Sequence, residues 1–82
     1  MSERLMLEGA LQEKKMQSIN LATRAEGLIR ALKISIQPAS ITPLKDLRTD
    51  EIRELAIELD SLRIEYVNLT QQMTDISREL GK

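Results

Sequence analysis

Glu51, Glu54 and Glu58 stand three and four residues apart, and Asp60 and Glu65 follow close behind. Carboxylates at such short spacing can work as a general acid and base, or can bind a hard cation. The same residues on a solvated helix face are ordinary surface charge, and nothing beside them supplies a second chemical group. Ser18 and Tyr66 carry hydroxyls that invite a nucleophile argument. With no His and no Cys in the chain, however, the usual neutral-pH base and the Cys or His ligands of a typical zinc or haem site are missing. Gly9 and Gly27 are too far apart to form a phosphate-binding loop. No catalytic residue, cofactor or metal site is expected, and the chain reads as a non-enzyme.

The elements that carry these residues are clearest in the second half. Ile52, Leu55, Leu59, Leu62, Tyr66, Leu69, Met73, Ile76 and Leu80 recur at alternating spacings of three and four, the a and d positions of a heptad. Thr49 or Asp50 can cap the start, Asp50 and Glu51 suit the positive end of the helix dipole, and Gly81 suits the stop. This predicts a helix over about 50–80. A first helix is expected over about 3–33, capped by Ser2. Its stripe is Leu7, Leu11, Ala22, Ala25, Ile29 and Leu32, interrupted by Lys14 and Ser18. Between them, the segment 34–49 holds Pro38 and Pro43, which forbid a continuous rod. Both residues that precede a proline, Gln37 and Thr42, are expected to be extended, and a short helical turn is expected over 43–47. Its isoleucines, Ile34, Ile36 and Ile41, are expected to plug the end of the helix pair. The competing reading makes Ile36 and Ile41 a partner-binding loop.

If the chain reverses at this corner, facing residues have numbers that total a constant, and a total near 84 aligns the two stripes. Leu32 then meets Ile52, Ile29 meets Leu55, Ala25 faces Leu59 and Ala22 faces Leu62. Ser18 faces Tyr66, Leu11 faces Met73 and Leu7 lies near Ile76. Small residues fall opposite large ones, as close packing requires. The fold class is therefore all-α, a two-helix antiparallel hairpin of coiled-coil type in a single domain. Two helices alone bury little surface, and a second apolar face exists. Ile57, Ile64 and Val67 lie off the seam of the second helix, and Leu5 and Met16, with Gly9, Thr23 and Gly27, lie off that of the first. A homodimeric four-helix bundle is expected from these faces. The competing assembly is a parallel dimer of second helices, with Glu58 pairing to Arg63 of the other copy.

The 82 residues are 41% hydrophobic but only 1% aromatic, so the large rigid anchors of a globular core are missing. The formal net charge of -1 is unevenly spread. Residues 1–48 hold eight Lys or Arg against five acids, and residues 49–82 hold four against eight. The basic half has a nucleic-acid reading, a small regulator whose first helix tracks phosphates. Interleaved acids and the lack of stacking aromatics argue against it, and charge complementarity with the acidic half explains the bias more simply. No run of apolar residues reaches the length of a signal peptide or a bilayer span, so a soluble cytoplasmic protein is expected. The function expected is protein–protein interaction or scaffolding, with the chain itself and an unidentified protein as partners and no membrane.

Overall fold

Ser2 opens the first helix by accepting the Leu5 N–H on its hydroxyl at 3.2 Å, which satisfies one of the donors that a helix start leaves free. In the computed structural model, which describes residues 2–37 and 41–81, this helix, α1, spans Glu3–Ile36. It runs three residues beyond the expected end, because no helix breaker precedes Pro38, itself outside the described residues. Gln37 keeps helical dihedrals, φ -48° and ψ -43°, where an extended residue was expected ahead of proline. Its N–H donates to the Lys33 carbonyl, and this retained helical bond offsets the steric bias.

The chain then makes a 3₁₀ turn at Leu44–Asp46, in which Asp46 N–H donates to the Pro43 carbonyl at 2.9 Å. Pro43, at φ -54° and ψ 141°, stands before the turn as its cap rather than as its first helical residue. The second helix, α2, spans Thr49–Glu79. Arg48 occupies its cap position without a side-chain cap bond, so neither Thr49 nor Asp50 caps it; both are already inside the helix. The first turn is stabilised instead by charge. Asp50 and Glu51 lie at the positive end of the dipole, and the Arg48 guanidinium donates to Glu51 at 3.2 Å. Gly81 ends the element at φ 75°, the left-handed conformation that costs glycine least, and its N–H donates to the Arg78 carbonyl at 3.0 Å.

The two helices pack against each other as an antiparallel all-α hairpin, a rod of 63 × 18 × 15 Å. Leu11, Leu62, Leu69 and Leu80 form the buried core among the described residues. Along α1 the sheltered positions include Leu7, Leu11, Lys14, Ser18, Leu21, Ala25, Leu28, Leu32 and Ser35, a heptad stripe as regular as that of α2, with Glu8, Ala10 and Ala31 partly covered at its edges. Lys14 and Ser18 do not interrupt this stripe. They belong to it, and the seam continues through Leu21 and Leu28 rather than through Ala22 and Ile29, both of which are exposed.

Aligning the two stripes in opposite chain order sets Leu7 beside Leu80, Leu11 beside Ile76, Ala25 beside Leu62, Leu32 beside Leu55 and Ser35 beside Ile52, and Leu7 and Leu80, like Ala25 and Leu62, line common pockets. Residue numbers in each pair total 87. This alignment of the stripes lies three residues, or about 4.5 Å at 1.5 Å per residue, from the expected one, and the bonds from Lys14 to Gln72 and from Arg4 to Leu80, totalling 86 and 84, fall between the two. Tyr66 shares a groove with Leu21 and Ala22, and the Ser18 hydroxyl donates to the Lys15 carbonyl of its own helix at 2.7 Å. Size complementarity survives the shift, since Ala25 still meets a leucine.

The corner does not plug the hairpin. Ile34, Ile36 and Ile41 are 69%, 49% and 85% exposed. Ser35, not its isoleucine neighbours, takes the inward position in the last turn of α1, and Thr42 and Leu47 are half-buried beyond it. Successive helical residues point 100° apart, so a seam that passes through Ser35 turns both flanking isoleucines outward.

Candidate interaction surface

Each side of the seam carries a groove between the helices, and the two differ in chemistry. One is lined by Gln17, Glu65, Asn68 and Gln72 over Leu21 and Leu69. The other, about 460 Å³ in volume, is lined by Ala22, Glu26 and Ile29 from α1 and by Leu59, Leu62, Arg63, Tyr66 and Val67 from α2. Tyr66 is therefore a wall of the apolar groove, 43% exposed, rather than a residue enclosed between the helices.

Helical geometry extends this difference along the whole rod. On the Gln72 side, the positions flanking the seam hold Glu3, Glu13, Glu51, Glu54, Glu58, Glu65, Asp75 and Glu79, with Arg24 as the one cation. On the Tyr66 side the corresponding positions hold Glu8, Glu26 and Asp60 against Lys15, Lys33, Arg53 and Arg63, together with Leu5, Ile19, Ala22, Ile29, Ile36, Ala56 and Val67. One side is strongly acidic; the other is nearly neutral and apolar. Of the five residues expected on an oligomer face, Leu5 and Val67 stand on the Tyr66 side. Met16, Ile57 and Ile64 are exposed on the helix backs. Ile19, Ala22, Ile29 and Ile36 join that side once the α1 stripe is placed through Leu21 and Leu28.

Polar contacts across the hairpin are sparse among the described residues. Lys14 Nζ donates to Gln72 Oε1 at 2.7 Å, and the Arg4 guanidinium reaches the Leu80 carbonyl at 3.5 Å. The three ion pairs, Arg4–Glu8, Arg48–Glu51 and Arg63–Asp60, are all local to one stretch of chain and exposed. The opposite net charges of the two halves are not expressed as ion pairs between helices. Six of the eight acids of α2 line one side, where α1 offers Ala10, Gln17, Arg24 and Ala31.

Glu51, Glu54, Glu58, Asp60 and Glu65 are all exposed on α2. Among the described residues, no group of three or more His, Cys, Asp or Glu is placed to hold a metal ion. No helix among them is long and apolar enough to cross a membrane. At the closed end, a shallow pocket of mixed character is lined by Ile34, Ser35, Thr42, Leu47, Arg48 and Glu51. In comparisons with known proteins, no family model, no curated protein and no solved structure matches this chain.

Proposed function

We propose that the protein is a non-catalytic interaction module that self-associates through its amphipathic helices and presents the resulting bundle to a protein partner. The observation that carries this reading is surface area. A compact folded chain of 9.3 kDa exposes about 5,000 Å², whereas this hairpin exposes 6450 Å². The surplus in two copies is about 3,000 Å², the size of an obligate homodimer interface. Leu5, Ile19, Ile29 and Val67 are exposed in the single chain and supply apolar surface for such an interface.

Light scattering at micromolar concentration tests the reading, with a dimer mass expected and an unfolding midpoint that rises with protein concentration. A monomer mass with a concentration-independent transition overturns it. The nucleic-acid alternative predicts binding to DNA or RNA that weakens steeply between low and high salt. Its motivating cations do not form one stripe: Arg4 and Lys14 are engaged across the hairpin, while Lys15 and Arg24 fall on opposite sides of the seam. The expected titration is flat at both salt concentrations.

A further inference from the structure

We infer that two copies of this chain pair through the Tyr66 side, α1 lying antiparallel on the partner's α1 about a twofold axis between Asn20 and Leu21. The inference rests on the self-association reading and adds to it the face, the orientation and the register.

The face follows from charge. Joining two Gln72 sides would set eight acids and one arginine against the same array, whereas the Tyr66 side is nearly neutral and holds six of the thirteen large apolar residues left exposed among the described residues, against Met6 and Ile34 on the Gln72 side. The orientation follows from the residues that flank the groove on α1. Around the proposed axis, facing residues total 41. Leu5 then meets the partner's Ile36, Glu8 meets Lys33, Lys15 meets Glu26 and Ile19 meets Ala22, each pair occurring twice because a twofold interface is self-complementary. Apolar residues meet apolar ones and charges meet their opposites; Gln12 with Ile29 is the one mixed pair. Lys15, Glu26 and Lys33 make no ion pair within the chain among the described residues.

Neighbouring arrangements lose this match. Sliding by one heptad in either direction sets Glu8 on Glu26 or Lys15 on Lys33. Laying α1 on the partner's α2 instead places Ile29 against Asp60 or against Arg53 in the two nearest registers. In the proposed arrangement α2 lies on the partner's α2, with Arg63 beside Thr70 and Ala56 beside Ser77, and no like charges face each other.

A charge-swap series tests this by sedimentation or light scattering across a dilution range, with helix content followed in parallel. Lys15→Glu and Glu26→Lys each turn two attractions into two repulsions, and each is expected to weaken the dimer by about tenfold or more at low salt. The double variant restores opposite charges and should recover the wild-type dissociation constant to within about threefold. High salt should narrow the differences. Glu13→Lys, on the acidic side, should not weaken the dimer. A wild-type dimer that is indifferent to both single swaps, or single swaps that the double variant does not rescue, overturns the face and register while leaving self-association standing. A wild-type monomer overturns both.

Discussion

Lys14 Nζ donates to Gln72 Oε1 across the hairpin, at a seam position of α1 that every neighbouring turn but that of Ser18 fills with Leu or Ala. A half-buried lysine in a heptad seam costs stability relative to an apolar residue there. Lys14→Leu should therefore raise stability by about 1–2 kcal/mol through added apolar burial. Urea unfolding at fixed protein concentration measures it, and a loss of stability would show that the Gln72 contact outweighs the burial.

The seam itself is tested at adjacent residues. Leu28→Ala should cost about 2 kcal/mol, since it removes a half-buried side chain from the layer shared with Leu59. Ile29→Ala, one position on and exposed in the single chain, should cost less than about 1 kcal/mol when measured at a dilution where the chain is monomeric. A reversed order of the two would return the seam to Ala22 and Ile29.

Glycines divide by backbone conformation. A Cβ at Gly27 meets nothing within 4 Å, so Gly27→Ala should stabilise by about 0.5–1 kcal/mol by lowering the entropy of the unfolded chain. Gly81 also has open space but sits at φ 75°, and Gly81→Ala should destabilise by about 1 kcal/mol. Thermal unfolding of the two variants should move in opposite directions. A loss on Gly27→Ala would reveal a close approach by another molecule.

At the corner, Ile34→Ser combined with Ile41→Ser should change stability by less than about 1 kcal/mol in total, the scale of two surface substitutions. A loss of several kcal/mol in chemical denaturation would mean that these exposed residues are covered in the protein as it exists in solution.

The parts of this structure that depend on local chemistry are legible in the sequence. The α2 stripe from Ile52 to Leu80 has one helical solution, the Ser2 cap needs only its own first turn, Gly81 needs only its own φ, and the prolines bar a straight rod. The placement of the α1 stripe is different in kind. Ala22, Ala25, Ile29 and Leu32 recur at helical spacing, and so do Leu21, Ala25, Leu28 and Leu32; apolar periodicity alone does not separate them. Packing against α2 separates them, because one choice supplies an uninterrupted series of layers from Leu7 to Ser35 and accommodates Lys14 and Ser18 within it. The same packing turned Ile34 and Ile36 outward by passing the seam through Ser35. Periodicity is a property of one helix, whereas its phase is settled by the free energy of burying one helix against another.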